Sequence, residues 1–156
     1  MLIRILAVGT RPPRWVREAF DDYAKRLGGG LKISLVEIAP GPRTGGGSPQ
    51  RAMEVEAQRL LGALRKSDYV VALDERGTEL DTHELAAWLG RRMRDGRDLA
   101  FLIGGPDGLA AEVLARSDFR WSLSRLTFPH ALVRVILAEQ IYRAQTILTN
   151  HPYHRD

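Results

Sequence analysis

The sequence predicts a single α/β domain, residues 1–156, with a mainly parallel sheet flanked by helices. Three observations carry this. Five short apolar runs recur along the chain, and segments of helical period separate them; strands and helices in that alternation give a parallel sheet with helices on both faces. The 156 residues are 44% hydrophobic, enough for one core. No internal repeat and no linker-like stretch divides the chain.

The elements follow in order. Leu2–Val8 is a buried strand, broken by Gly9-Thr10-Arg11-Pro12-Pro13. Arg14–Leu27 has helical spacing, with Trp15, Val16, Ala19, Phe20, Tyr23 and Leu27 on one broad face. Gly28-Gly29-Gly30 ends it. Leu31–Ile38 alternates Leu31, Ile33 and Leu35 with Lys32 and Ser34, the period of a second strand. Pro40–Pro49 is a glycine-rich loop, and Ser48-Pro49 supplies an N-cap and first-turn proline for a helix to Arg65. Asp68–Leu73 is a third strand, and Asp74–Gly77 reads as a turn. Asp81 or Thr82 caps a helix through Arg94; Asp95-Gly96 turns the chain into a fourth strand, Leu99–Ile103. A short helix near Leu109–Arg116, a fifth strand Phe119–Leu123 and a last helix Ala131–Leu148 complete the order. The last helix is apolar on more than one face, so it needs burial on more than one side. A symmetric dimer is the expected source; a central place within one subunit is the alternative.

Composition narrows the classes. With no cysteine, disulfides and thiolate metal sites are excluded, which fits a reducing cytoplasm. Met1–Val8 lacks the basic region of a signal peptide, and no apolar run approaches the roughly 18 residues of a membrane span. A cytoplasmic location without membrane contact is expected. The net charge of +4 permits an anionic partner without requiring one. Lys25, Lys32 and Lys66 are the only lysines among 23 basic residues. Arginine is the better fork for phosphate, although codon bias explains the excess equally well. Arg4, Arg11, Arg14, Arg17, Lys25 and Arg26 outnumber nearby acids, as a phosphate-facing surface or as an ordinary solvated face.

Four segments carry chemistry. Gly104-Gly-Pro-Asp-Gly108 follows a strand and precedes a helix, where ligands of open α/β sheets bind. It is a tight turn or a binding loop, and neither a dinucleotide fingerprint nor a P-loop. Ser122–Pro129 sets hydroxyls and backbone N–H groups beside Leu and Phe, suiting a flat ligand with polar edges; a plain connection before a helix also fits. His151-Pro-Tyr-His154 has too few ligands in sequence for a closed metal site, and no metal is expected. Tyr153 and Arg155 instead suit RNA, one stacking on a base and one gripping phosphate. His130 can shuttle a proton or simply cap a helix.

Together, and in this order, Val8-Gly-Thr10, Leu102-Ile-Gly-Gly-Pro-Asp-Gly108, Trp121–His130, Val133-Arg-Val135, Ala138–Ala144 and Asn150-His-Pro-Tyr-His-Arg155 resemble the RlmH family. These are bacterial 23S rRNA pseudouridine N3-methyltransferases of the SPOUT superfamily, and the similarity spans essentially the whole chain. The resemblance implies a C-terminal trefoil knot, a homodimer, and S-adenosylmethionine as methyl donor. By motif position the donor site includes Leu73, Gly104, Leu123, Ser124, Arg125, Leu126, Thr127 and Phe128. The implied substrate is a pseudouridine of 23S rRNA within the assembled ribosome. Family members can carry a lysine-rich loop after strand two; here Gly41–Ser48 has Arg43 as its only charge.

Deprotonating the substrate imide calls for a general base, worth about 10²–10⁴-fold. His130 and His154 are the candidates, with Tyr153 and Arg155 binding or orienting the RNA. The expectation is that the tail of one subunit closes over the donor site of the other. A non-catalytic ribosome-binding factor is the rival, separable because it needs no donor.

Overall fold

The computed structural model describes residues 1–156. Five strands, β1 (Leu2–Val8), β2 (Lys32–Ile38), β3 (Tyr69–Glu79), β4 (Leu99–Ile103) and β5 (Phe119–Ser122), form one sheet in the order β2-β1-β4-β3-β5. Every pairing is parallel. The helices are α1 (Arg14–Ala24), α2 (Pro49–Ala63), α3 (Thr82–Asp95), α4 (Ala111–Arg116) and α5 (His130–Leu148). Side chains alternate across a strand, so each strand feeds two cores. Ile3, Ile5, Val71, Leu99 and Phe101 pack with residues of α1, α3 and α5. Leu6, Val8, Val70, Ala100 and Leu102 pack on the other face with Ala57 and Leu60 of α2 and Val113 of α4.

Local chemistry explains the helix ends. Ser48 accepts from the Arg51 amide at 3.1 Å with Pro49 at the first position. Asp81 and Glu84 form a reciprocal capping box on α3, and Gly96 closes it in the left-handed conformation.

The structure departs from the sequence reading at Asp74–Gly77 and at Trp15, and it decides between the two readings of the basic N-terminal residues. Asp74–Gly77 is not a turn: β3 continues through it, and both Leu73 and Thr78 register with Trp121 of β5. The strand bulges there, and a side chain at Gly77 would lie 2.7 Å from the Arg120 carbonyl carbon. Trp15 is 55% exposed, because the buried stripe of α1 is Val16 and Phe20, one turn apart, and its neighbour points sideways. The basic N-terminal excess is largely neutralised: Arg14 pairs with Glu18, Arg17 with Glu37, and Lys25 and Arg26 with Asp22. Arg4 is buried against Asp68 and belongs to the core.

Helix α5 lies between α1 and α3, which supply burial on two sides within one subunit. Its buried Arg134 donates to the Gly9 carbonyl at 2.8 Å and ties the helix to the end of β1.

Candidate active site at the carboxyl edge of the sheet

In a parallel sheet all carboxyl ends share one edge, and ligands bind beyond them. Register places Ala72 beside Leu102 and Leu73 beside Trp121, so the segments after Leu73, Ile103 and Ser122 are neighbours. Segments as far apart in sequence as those after Leu73 and Ser122 thus become one edge only through strand pairing.

The Gly104–Gly108 loop is a tight turn that follows β4 at the carboxyl edge of the sheet. Gly105 and Gly108 bridge each other, with the Gly108 amide on the Gly105 carbonyl at 3.0 Å. A side chain at Gly104 would sit 2.6 Å from the Gly108 carbonyl carbon, closer than any real Cβ contact. Gly104→Ala must therefore open the loop. Displacing a positioned loop by about 1 Å costs roughly 100-fold. The expected result is weaker donor binding by calorimetry and a fall of that order in methyl-transfer rate, with unchanged far-ultraviolet circular dichroism. Wild-type affinity in the variant would remove this loop from the site.

The loop after β5 has a split character. Arg125, Leu126 and Thr127 are exposed, whereas Leu123, Ser124 and Phe128 are half-buried. Ser124 Oγ accepts from the Leu126 amide at 3.0 Å and stiffens the turn. Leu123, Ser124 and Phe128 line a pocket of about 330 Å³, whose far wall is Asp81, Thr82, Leu85, Ile136 and Gln140. Trp121 also lines it, and its buried indole N–H has no protein partner. A buried donor without an acceptor is costly, so a ligand acceptor here would be stabilising. Leu73 and Gly104 lie outside this pocket. The aromatic rings of Trp121 and Phe128, the unpartnered indole N–H and the polar Asp81, Thr82 and Gln140 suit a flat ligand with polar edges. A larger groove of about 540 Å³ lies between α2 and α4, lined mostly by charged residues such as Arg51 and Glu112.

The tail is held by helix chemistry. Asn150 is left-handed at φ 56°, the Asn150 amide reaches the Ile147 carbonyl at 3.3 Å, and the His151 amide reaches Thr146 at 2.9 Å. That is a Schellman ending with asparagine in the usual glycine place, followed by Pro152. It turns the chain back along α5. Tyr153 then meets Tyr142 edge-on, with ring centroids 4.6 Å apart, and donates to Glu139 Oε1 at 3.0 Å. Burial, and then the Glu139 carboxylate, push the phenol's pKa well above its ordinary value. Tyr153 is therefore a proton-bearing donor at neutral pH.

Arg143 donates to His154 Nδ1 at 3.0 Å. Arginine has no acceptor, so Nδ1 is unprotonated and Nε2 carries the proton, donated to Asp156 Oδ1 at 2.9 Å. Both nitrogens of His154 are thus engaged. The sequence offered no third ligand for a metal, but the fold brings His83, His154 and Asp156 together, with His83 Nε2 2.7 Å from Asp156 Oδ1. A metal-bound histidine donates its second N–H outward; Arg143 beside Nδ1 has the opposite polarity.

His83 and Asp156 also form a latch with a defined pH window. The Asp156 carboxylate raises the His83 pKa above its ordinary 6.5, and His83 followed by His154 lowers that of Asp156 below 3.8. A raised histidine stabilises the folded pairing at low pH and loses it as pH rises through its folded value. A lowered carboxyl loses its part as pH falls through its own. The latch holds between those limits. Histidine NMR titration should place His83 above 6.5, and Asp156→Asn should return it toward 6.5; an unmoved midpoint would deny the contact.

The predicted catalytic residues are not assembled within one chain. His130 is exposed at the start of α5, and Tyr153 is bonded nine residues further along at Glu139, about 14 Å down the axis. Arg155 is exposed. The first turn of α3 joins the two regions: Thr82 lines the pocket and bonds Gln140 at 3.1 Å, while His83 holds the tail. Sequence reasoning missed His83, Glu139 and Arg143. The i,i+4 spacing of Glu139 and Arg143 was a usable signal; nothing in the sequence marked His83.

A Predicted SPOUT methyltransferase family matches residues 1–154. The chain belongs to the SPOUT methyltransferase family. Among its relatives, the ribosomal RNA large subunit methyltransferase H of Alkalilimnicola ehrlichii is 56% identical over 155 residues, covering 99% of both chains. The protein of the same name from Stenotrophomonas maltophilia is 52% identical, again over 99% of both. Solved structures support the SPOUT fold at low identity. A probable methylase family protein from Haemophilus influenzae aligns with TM-score 0.56 and 14% identity, over 99% of this chain and 70% of that one. TrmJ from Z. mobilis aligns with TM-score 0.55 and 16% identity, over 93% and 69%. No helix of this SPOUT chain is long and apolar enough to cross a membrane.

Proposed function

We propose that this SPOUT methyltransferase transfers a methyl group from S-adenosylmethionine to N3 of a pseudouridine in 23S rRNA, acting on the assembled ribosome in the cytoplasm. The observation that carries the reading is the 56% identity, over 99% of both chains, to a ribosomal RNA large subunit methyltransferase H. In this reading the C-terminal part is threaded as a trefoil knot and the enzyme is a homodimer.

Leu73, Gly104 and Leu123–Phe128 hold the donor, whose sulfonium supplies an activated methyl group. The glycine loop brings backbone close, and Leu73, Leu123 and Phe128 exclude water. Arg125 and Thr127, exposed on the same loop, are parts of that donor site open to solvent. Tyr153 and Arg155 bind and orient the RNA. For the proton on the substrate nitrogen, His130 is the better-placed base, since it adjoins the donor loop and His154 has both nitrogens occupied. His154 takes that role only after the Arg143 contact opens. The 14 Å between His130 and the Tyr153 anchor is bridged when the tail comes from the second subunit.

The test is mass spectrometry of rRNA from a strain lacking this gene, before and after complementation. One methyl group on a pseudouridine should vanish and return. Unchanged rRNA, with no binding of S-adenosylmethionine by calorimetry, would favour the non-catalytic binding factor.

A further inference from the structure

The loop after β2 has no cluster of free cations with which to grip RNA. Its one charged side chain, Arg43, is instead turned inward. Arg43 Nη1 and Nη2 donate to the two oxygens of Glu56 at 2.6 and 3.1 Å, a bidentate pair. Arg43 Nε donates to Asp107 Oδ2 at 3.0 Å. Glu56, on α2, is almost fully buried and also accepts from the Gly41 amide at 2.8 Å. Asp107 belongs to the Gly104–Gly108 loop, and a side chain at Gly105 would meet Glu56 Oε1 at 3.3 Å. One guanidinium therefore joins its own loop, a buried carboxylate on α2, and the glycine loop at the sheet edge.

A buried carboxylate without a partner is expensive, so Glu56 needs Arg43 to be present. With two of its nitrogens fixed by Glu56, Arg43 has little freedom in where it presents Nε. Asp107 is drawn to that point, and the loop with it. The fork geometry matters because Arg43 uses separate nitrogens for Glu56 and Asp107, and the point charge of a lysine cannot reproduce that bidentate pair.

We propose that Arg43, oriented by Glu56, is a positioning residue that clamps Asp107 and so presets the Gly104–Gly108 loop for the methyl donor. The inference rests on the donor site described under the proposed function. It gives the loop after β2 a role in donor binding rather than in RNA contact.

The test compares Arg43→Ala, Arg43→Lys and Asp107→Asn with the full-length wild type. Amide exchange at Gly108, without donor, reads the loop directly, because that amide is hydrogen-bonded across the loop. Arg43→Ala should speed this exchange by about tenfold or more. It should raise the KM for S-adenosylmethionine by about 10- to 100-fold and leave the KM for ribosomes within about twofold. Arg43→Lys should fall between, and the exposed Asp107→Asn should reproduce the loosening without disturbing the core. Unchanged exchange at Gly108 overturns the clamp. A raised KM for ribosomes with wild-type donor affinity also overturns it, in favour of RNA contact. Faster exchange together with no donor binding by the wild type would uphold the clamp and overturn the function on which its purpose rests.

Discussion

Removing residues 150–156 should abolish methyl transfer to ribosomes while leaving binding of S-adenosylmethionine within a few-fold of the full chain. The tail contributes Tyr153, His154 and Arg155, and its anchoring contacts are with Glu139, Tyr142, Arg143 and His83, all away from Gly104–Gly108. Loss of substrate orientation and of any proton-handling group is worth at least about 10²-fold. A partial form of the experiment separates the anchors from the chemistry. Glu139→Gln keeps an acceptor for the Tyr153 hydroxyl but removes the charge that pairs with Arg143. Methyl release from labelled donor in the presence of ribosomes measures both variants. Full activity of the truncated protein would exclude the tail from the site.

Replacing Asp68 by alanine should cost about 3–5 kcal/mol of folding stability. Asp68 is fully buried between α2 and β3. Its Oδ2 accepts from Arg4 and from the Arg65 amide at 2.7 Å. Arg4 Nη1 would keep its bond to the Ala63 carbonyl at 2.9 Å, but the guanidinium would be left buried without a counter-charge. The magnitude is that of an orphaned charge, and is not a measure of what the pair adds over an apolar substitute. Urea unfolding should show it, with a fall in Tm of roughly 10 °C for a chain of this size. The double variant Arg4→Met, Asp68→Leu should recover most of the loss. A cost below 1 kcal/mol for the single variant would mean that water or a rearranged side chain reaches Arg4.

These two sites differ in how far the sequence reveals them. Strand and helix positions follow from local rules. Alternation marks β2, Ser48-Pro49 and Asp81 mark helix starts, and Gly96 marks a helix end. The register of bulged β3 does not follow, because Asp74-Glu-Arg-Gly77 has turn composition and only the pairing with Trp121 keeps it extended. Trp15 fails for a related reason. A helical stripe tells which residues share a face, but the angle at which α1 meets its neighbours decides where that face ends. Arg4 and Arg43 look like surface charges in the sequence, and Asp68 and Glu56 turn them inward from 64 and 13 positions away.

The motifs Gly104–Gly108, Leu123–Phe128 and Asn150–Arg155 by themselves determined the family, since residue identity at fixed spacing is what a family shares. Local propensities likewise determined the βα order and the parallel sheet. Only the tertiary structure decided which side chains meet. It put the segments after Leu73, Ile103 and Ser122 on one edge, because parallel strands align their carboxyl ends. It folded the tail back onto α5, because Asn150 takes a left-handed turn. It separated His130 from Tyr153, because a rigid helix fixes their spacing. Such contacts depend on packing angles and registers summed over the whole chain, and no local stretch of sequence encodes them.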